Sequence, residues 1–198
     1  MTMVRISDLA ARWRFWTSAD RIGPDIPATA WRLHFPATAI RLCKAKFRQF
    51  GSDAGFRWGA YAVTCSKISI GSRVVIRPGS MLFAFPYGET GRIVIEDDVL
   101  IGSGVHVYTS NHSISDLSRR IIDQGHDPAA DVIVRRGAWI GANAILLPGV
   151  EIGEGAVVGA GSVVTRSIAA GMIAVGNPAR PVRARGDHKT SPADADRG

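Results

Sequence analysis

The stretch that decides the fold runs from Val134 to Ile168 and reads, in sixes, VRRGAW, IGANAI, LLPGVE, IGEGAV, VGAGSV and VTRSI. The first position of every six is aliphatic: Val134, Ile140, Leu146, Ile152, Val158 and Val164. The fifth position is small or β-branched in most repeats: Ala138, Ala144, Val150, Ala156 and Ser162. A period of six matches neither the helix period of about 3.6 nor the alternation of a strand. It predicts an all-β solenoid, a parallel β-helix in which three sixes close one coil around stacked aliphatic side chains.

Length, charge and cysteine content limit what the chain can be. Its 198 residues suit one domain, or one domain with a terminal appendage. The 24 Lys and Arg against 17 Asp and Glu give a net charge of +7, which favours an anionic ligand or surface, or reflects a basic solvated surface. Cys43 and Cys65 form no CxxC motif, zinc pattern or disulfide framework. A secretory apolar core and a run of roughly 18 apolar residues are both missing, so a cytoplasmic protein is expected.

Residues 1–55 lack the repeat, and the sequence predicts a partly helical segment that caps the open end of the solenoid. Ser7 is expected to cap a short helix that carries Leu9, Trp13 and Trp16 near one face. Turns are expected at the three prolines that follow, Pro24, Pro27 and Pro36.

A second helix is expected over about Ala39 to Phe50, where apolar residues alternate with arginine and lysine. A basic amphipathic stretch of this kind either packs its apolar face on its own domain or lies on a membrane surface. The sequence leaves both readings open, so peripheral membrane contact is one of the interactions to be tested.

The six-residue pattern begins imperfectly near Trp58 and is interrupted twice. A loop is predicted at Phe83 to Arg92, and a longer polar loop at residues 113–132. A loop of this length inside a compact repeat usually serves a function. The β-helix domain is therefore expected to span residues 56–185, followed by a disordered tail over residues 186–198.

The pattern stops at Asn111-His112, where the longer loop begins, and this places an imidazole at a coil edge. Histidine titrates near neutral pH and is the usual general base for an alcohol or an amine, so His112 is the first catalytic candidate. The sequence contains no P-loop, no GxGxxG motif and no Ser-His-Asp constellation. It also contains no recognisable nucleic-acid-binding module, so no nucleic acid is expected as a partner.

Three stretches together resemble a known family: TSNH at Thr109 to His112, the run from Trp139 to Ile168, and VGNPARPVR at Val175 to Arg183. Over about residues 56–185 the chain resembles the hexapeptide-repeat acyltransferases, enzymes with a left-handed parallel β-helix that use acetyl-CoA. The branch it resembles most contains maltose, galactoside and surface-polysaccharide O-acetyltransferases. The left-handed winding comes from the family and is opposite to the usual right-handed crossover.

The resemblance implies roles for individual residues. His112 matches the base that takes the proton from the acceptor hydroxyl, and the backbone N–H of Ala142 matches the donor that stabilises the oxyanion. Asn111 is expected to orient His112, to contact the acceptor, or only to form a corner. Acetyl-CoA is expected to contact Trp139, Gly141, Ala142, Ala160, Gly161, Thr165, Arg166, Asn177, Pro178, Arg180 and Arg183. The three arginines are the candidates for the CoA phosphates, and Trp139 also lies near the acceptor pocket in relatives.

One stretch departs from the maltose and galactoside branch, which carries asparagine where this chain reads MLFAF at Met81 to Phe85. No polar contact to the acceptor is available there, so a different acceptor is expected. Carbonic anhydrases on the same fold bind zinc through three histidines. His106 and His112 are six residues apart, so their side chains diverge around the coil, and no metal site is expected.

The favoured function is an acetyl-CoA-dependent O-acetyltransferase that acts on a sugar hydroxyl in surface polysaccharide or lipopolysaccharide biosynthesis. The alternatives are N-acetylation of an amino or nucleotide-linked amino sugar, and a β-helix scaffold without catalysis. The resemblance implies a homotrimer with active sites between subunits, and the loop at residues 113–132 is expected to reach the adjacent subunit. The sequence decides neither the acceptor sugar nor the acyl chain length of the donor.

Overall fold

The computed structural model describes residues 6–187 of the chain. Residues 188–198, most of the tail that the sequence predicts to be disordered, lie outside the described residues. The helices are α1 (Ile6–Ser18), α2 (Pro27–Arg32) and α3 (Pro36–Lys46), with short 3-10 turns at Cys65–Lys67 and Ile121–Asp123. No helix within residues 6–187 is long and apolar enough to cross a bilayer.

Eighteen strands, most of them two or three residues long, make up the rest of the regular structure. They are β1 (Arg21–Ile22), β2 (Gln49–Phe50), β3 (Gly55–Phe56), β4 (Tyr61–Val63), β5 (Ile68–Ile70), β6 (Val75–Ile76), β7 (Met81–Phe83), β8 (Ile93–Ile95), β9 (Leu100–Ile101), β10 (His106–Tyr108), β11 (Val132–Val134), β12 (Trp139–Ile140), β13 (Ile145–Leu146), β14 (Glu151–Ile152), β15 (Val157–Val158), β16 (Val163–Val164), β17 (Met172–Gly176) and β18 (Ala179–Ala184).

The strands form three sheets, and successive strands along the chain, from β1 to β16, belong to sheets A, B and C in turn. Sheet A has the order β1-β4-β7-β10-β13-β16, sheet B the order β14-β11-β8-β5-β2, and sheet C the order β18-β17-β15-β12-β9-β6-β3. Strands of successive coils pair in parallel, joining Ile145 to Val163 in sheet A and Trp139 to Val157 in sheet C, eighteen residues apart in both. Three six-residue repeats therefore close one coil, as the sequence predicts. The turns between sheets are the A–B, B–C and C–A corners, named in chain order.

The core is the column of side chains that points inward from all three sheets. The six aliphatic first positions of the repeat between Val134 and Val164 are all fully buried. The fifth positions, from Ala138 to Ser162, are buried beside them. Each fully buried aliphatic side chain contributes about 1.5–3 kcal/mol relative to an exposed one, so this column supplies most of the free energy that holds the coils together.

Two stretches of the chain depart from the eighteen-residue coil, and both lie at the A–B corner. The register joins Met81 to His106, 25 residues apart, and then His106 to Ile145, 39 residues apart. The additional residues lie in segments 84–92 and 109–131, which follow β7 and β10. An A–B corner can lengthen in this way because its residues lie outside the stacked strands, so the register on both sides is kept.

The N-terminal segment differs in detail from its prediction. Ser7 lies inside α1 and does not precede it as a cap. Pro27 and Pro36 each occupy the first turn of a helix, where a proline is tolerated because its missing N–H would have no intrahelical partner. The predicted helix over residues 39–50 is wrong at both ends. It begins at Pro36, and it ends before Gln49-Phe50, because these residues pair with β5 in sheet B.

The N-terminal segment packs on the first coil. Strand β1 pairs antiparallel with β4 at the edge of sheet A, and Ile22, Leu33, Leu42 and Phe47 belong to the same apolar core as the coils. The parallel sheets start at Gln49, seven residues before the expected domain boundary at residue 56. Sequence reasoning placed that start too late, because the first coil carries the six-residue pattern only weakly.

At some corners the backbones of successive coils are so close that only glycine fits without strain. A Cβ atom on Gly71 would lie 2.7 Å from the backbone N of Asp97, which belongs to the next coil. We expect Gly71→Ala to lower the free energy of unfolding by about 1–3 kcal/mol, because the rigid neighbouring backbone cannot move away. Gly55→Ala is the matched control, since its Cβ would meet only the flexible Arg57 side chain at 3.4 Å. Urea unfolding curves compare the two, and equal midpoints would contradict the explanation.

Candidate active site

His112 lies four residues after β10, at the A–B corner, and its side chain is exposed. Its ring atom Nδ1 is 3.3 Å from the carbonyl oxygen of Gly125. A carbonyl oxygen only accepts hydrogen bonds, so Nδ1 carries the proton of the neutral ring. The other ring nitrogen, Nε2, then carries the lone pair. This is the tautomer that a general base requires.

The loop that follows His112 returns to it. His112 and His126 form an isolated antiparallel bridge, and their rings lie 4.4 Å apart between centroids with an angle of 30° between their planes. The ring of His126 also contacts Phe85, at 5.1 Å between centroids. Sequence analysis gave His126 no role, because nothing in an aperiodic loop signals which of its residues folds back on the coil edge.

Hydrogen bonds hold the chain on both sides of His112. Thr109 is fully buried, its carbonyl oxygen accepts from the backbone N–H of Ala130 at 2.9 Å, and its Oγ1 accepts from the backbone N–H of Phe85 at 2.8 Å. The backbone N–H of Asp127 donates to the carbonyl of Asn111 at 2.9 Å, and Ser113 Oγ donates to Asp127 Oδ1 at 2.7 Å. Asn111 is therefore anchored through its backbone, and its side chain stays exposed.

A cavity of about 700 Å³ opens beside His112 at the A–B corner. It is lined by Val63, Phe83, Ala84, Phe85, Pro86, Tyr87, Tyr108, Ser110, Asn111, His112, His126 and Leu147. No Asp, Glu, Lys or Arg is among these residues, and four of them are Phe or Tyr. The rings of Phe83 and Tyr108 stack at 5.5 Å, and Phe85 and Tyr87 meet edge to face at the same distance. The MLFAF stretch thus supplies an apolar wall, in agreement with its predicted lack of polar contacts.

An ion pair joins the last residues of the two long segments at the A–B corner. Arg92 donates to Asp131 three times, from its backbone N at 2.8 Å, Nε at 2.9 Å and Nη2 at 2.6 Å. Partial burial raises the pKa of Asp131, but the hydrogen bonds and the charge of Arg92 outweigh this and leave the pKa below its ordinary value. The pair thus joins segments 84–92 and 109–131 at their C-terminal ends.

The expected oxyanion donor lies at a different corner. Ala142 follows β12 at the C–A corner, and its backbone N–H donates to no protein acceptor within residues 6–187. Its carbonyl accepts from Gly161 N at 2.8 Å, so the residues of two coils stack directly. A Cβ on Gly141 would lie within 2.8 Å of the backbone of Gly159. The stacked corner residues Gly141, Ala142, Ala160 and Gly161 therefore form a ridge of small residues with an unused amide.

The remaining candidates fall in three places. Thr165 and Arg166 are exposed at the A–B corner, as His112 is, and Trp139 is 52% exposed on the outer face of sheet C. The β17–β18 hairpin carries the cis Asn177-Pro178 bond at its turn, together with Arg180 and Arg183.

This hairpin lies beside the ridge, because Gly176 N donates to Ser162 Oγ at 3.1 Å. Within residues 6–187 no carboxylate lies within 4 Å of Arg166, Arg180 or Arg183. A single chain does not bring His112 and Ala142 together, because they lie at opposite ends of the strands of sheet A.

The other chemically reactive groups are separate from this site. Within residues 6–187 there is no group of three or more His, Cys, Asp or Glu that could hold a metal ion. His106 contacts the hydroxyl of Tyr108 at 3.2 Å through Nδ1. Cys43 and Cys65 are free and buried, and burial raises the pKa of the Cys43 thiol to about 12. Neither thiol is available as a nucleophile near neutral pH.

The fold and site define a hexapeptide-repeat β-helix with a histidine at one coil edge. Residues 131–166 match the family described as bacterial transferase hexapeptide (six repeats). A protein of Escherichia coli K12, provisionally named colanic acid biosynthesis acetyltransferase WcaF, is 30% identical over 144 residues, covering 66% of this chain and 76% of that protein. The chain belongs to the hexapeptide-repeat acetyltransferases, which confirms the resemblance found in the sequence and implies left-handed winding of the coil.

Other relatives are more distant or match over a shorter length. A protein of Schizosaccharomyces pombe, provisionally named an acetyltransferase, is 40% identical over 91 residues, 46% of this chain and only 42% of that protein. A hexapeptide-repeat acetyltransferase from Vibrio cholerae, solved with acetyl-CoA, is 26% identical with a TM-score of 0.68, covering 83% of this chain and 91% of that one. The maltose O-acetyltransferase from Clostridium difficile 630 is also 26% identical, with a TM-score of 0.64 and 75% of each chain covered.

The Arg92–Asp131 pair gives a pH-dependent prediction. Because the pKa of Asp131 is lowered by folding, its ionised form stabilises the protein above the unfolded-state pKa of about 3.9, and this contribution is lost as the pH falls through the folded-state pKa. We expect Asp131→Asn to lower the free energy of unfolding by about 1 kcal/mol at neutral pH. The difference in the free energy of unfolding between the variant and wild type should become smaller below about pH 4.

Urea unfolding at a series of pH values measures this difference. Asp98→Asn is the control, because it breaks an ion pair at the B–C corner with Arg73, whose side chain is 70% exposed. A more exposed pair of this kind is worth about 0–1 kcal/mol. A constant difference for Asp131→Asn across the pH range would count against the proposed electrostatic role.

Proposed function

We propose that this chain is an acetyl-CoA-dependent O-acetyltransferase that acts on a sugar hydroxyl. The observation that carries the proposal is the position of His112 at the cavity, with Nδ1 hydrogen-bonded to the Gly125 carbonyl and Nε2 left as a base. Membership of the hexapeptide-repeat acetyltransferases supports the same chemistry. The acceptor hydroxyl would enter the cavity and hydrogen-bond to Nε2.

The reaction follows from these positions. Nε2 of His112 accepts the hydroxyl proton while the acceptor oxygen forms a bond to the thioester carbonyl carbon. The carbonyl oxygen becomes an oxyanion, for which the unused N–H of Ala142 is the proposed donor. The C–S bond then breaks, the acetyl group stays on the acceptor oxygen, and the CoA sulfur takes the proton from the imidazolium. No residue forms a covalent intermediate in this scheme.

The two corners require two subunits. His112 follows a strand of sheet A and Ala142 precedes the next one, so the two residues lie at opposite ends of the strands of sheet A, and we infer that a complete site needs the C–A corner of a second copy beside the A–B corner of the first. We propose a homotrimer, in which segment 113–132 of one subunit reaches the next. The small residues of the ridge then admit the pantetheine chain. Arg180 and Arg183 of the hairpin have no carboxylate within 4 Å in residues 6–187, and they are the proposed partners of the CoA phosphates.

The cavity also suggests the character of the acceptor. A charged sugar would be desolvated there with no carboxylate, lysine or arginine to compensate its charge, because none of these side chains lines the cavity. The rings of Phe85 and Tyr108 suit the C–H face of a neutral sugar, and Ser110 and Asn111 can hydrogen-bond its hydroxyls. We propose a neutral glycan acceptor. A role in surface polysaccharide or lipopolysaccharide synthesis follows by analogy with the colanic acid relative. The free cysteines are in keeping with a cytoplasmic location.

The test of catalysis is thiol release from acetyl-CoA with a panel of neutral sugars, amino sugars and hexuronic acids. We expect turnover with a neutral sugar, and a loss of about 10²-fold or more in kcat for His112→Ala, because the proton of the hydroxyl then has no acceptor. His34→Ala is the control, since His34 is an exposed histidine outside the cavity and should be replaceable without loss.

The other results have definite meanings. Turnover confined to amino sugars would replace the proposal by N-acetylation. Acetyl-CoA binding without thiol release on any acceptor would favour the scaffold alternative. Full activity of His112→Ala on a good acceptor would remove the general-base mechanism.

The assembly is tested by the mass in solution. Light scattering coupled to gel filtration should give about three times the chain mass of 21.2 kDa. A monomer that still turns over acetyl-CoA would show that both catalytic groups come from one chain. That result would contradict the proposed site between two subunits.

A further inference from the structure

Helix α1 is almost entirely unburied. Of residues 7–18 only Trp16 is partly covered, and Leu9 and Trp13 on the same face are 60% and 64% exposed. A helix of 13 residues is marginal in water without a surface to pack on. The apolar face of α1 therefore needs an occupant that the rest of residues 6–187 does not supply.

Exposed apolar side chains also occur after α1. Trp31 and Phe35 are 64% and 48% exposed, and Trp58 at the start of the first coil is 55% exposed. These side chains form one aromatic group, because Trp31 contacts both His34 and Phe35, and the His34 ring lies 4.9 Å from the Trp58 ring between centroids. Helices α1 and α2 are in contact. We call Leu9, Trp13, Trp31, Phe35 and Trp58 the N-terminal aromatic surface.

Unpaired basic side chains occur on the same segment. Within residues 6–58 an ion pair joins Arg21 to Asp25. The basic residues with no carboxylate within 4 Å there are Arg12, Arg14, Arg32, Arg41, Lys44, Lys46, Arg48 and Arg57. The charge of this segment is complementary to an anionic partner.

Charge and apolar exposure together select the kind of partner. A second copy carries the same net charge of +7, so it offers this basic segment no complementary excess of negative charge. A nucleic acid would be complementary in charge, but it gives no place for the aliphatic Leu9. An anionic bilayer satisfies both features, because tryptophan and leucine enter the interface while arginine and lysine contact the headgroups. We propose that the N-terminal aromatic surface docks on an anionic membrane, with α1 lying in the plane of the interface.

Docking there would bring the catalytic cavity close to the membrane. The guanidinium of Arg21 lies 5.9 Å from the ring centroid of Phe15 in α1 and 5.7 Å from that of Tyr61 in β4. Tyr61 in turn meets Phe83, a cavity residue, at 5.4 Å. Three contacts thus connect α1 to the wall of the cavity. Docking does not depend on the proposed acetyl transfer. If that transfer occurs, a glycan acceptor carried on a membrane lipid would lie near the cavity.

The experiment is co-sedimentation of the full-length chain with phosphatidylcholine vesicles, with and without phosphatidylglycerol. We expect binding that needs the anionic lipid and weakens at high salt. The double variant Leu9→Ser/Trp13→Ser should lower the partition coefficient at least about tenfold, since two interfacial side chains are lost. Leu117→Ser is the matched control, because Leu117 is 98% exposed but lies in segment 109–131, outside the N-terminal aromatic surface, and this variant should bind as wild type does.

Each contrary result overturns the proposal. No binding of wild type to anionic vesicles would do so, as would equal binding by the double variant. A change in the mass of the double variant in solution would assign the surface to a second copy, and a shift of duplex DNA with no vesicle binding would assign it to nucleic acid. Thiol release with a soluble acceptor should be the same in the double variant and wild type, which separates a failure of docking from a failure of catalysis.

Discussion

The parallel stacking of coils around a column of buried aliphatic side chains is the constraint on which the rest of the structure depends. Every strand inside the solenoid hydrogen-bonds to the coil before and the coil after it, and its inward side chain fills the same column. A residue added within a strand would turn its core side chain outward and break two ladders at once. The chain can therefore vary only at the corners, and both long departures from the repeat occur at one of them.

This constraint also shapes the chemistry. A corner residue is held by the strands on either side, so His112 gains a fixed position from the solenoid while the segment after it remains free to fold back and supply Gly125 and His126. The C–A corner carries no inserted segment, and its last two turns stack closely through the small residues of the ridge. One corner thus provides a cavity and a histidine, and another provides a ridge with an unused amide. Their separation within one chain is the physical argument for a site shared between subunits.

The N-terminal segment meets a different demand. A stack of coils has an open end, and the segment covers it with Ile22, Leu42 and Phe47, which join the core. Covering the end uses α2, α3 and β1 but leaves α1 outside. An exposed apolar face on α1 therefore does not lower the stability of the solenoid itself. Partner recognition can change there without disturbing the coils or the cavity.

The sequence by itself determined the coil, since a period of six with an aliphatic first position leaves no other regular way to bury those side chains, and it singled out His112 because the pattern stops there. It placed the start of the solenoid too late and extended α3 into β2, because pairing with β5 decided those residues and no local signal announces it. Only the tertiary structure decided that His126, Phe85 and Tyr108 surround His112. Contacts between segments with no common period depend on how the chain folds back, and a repeat pattern carries no information about them.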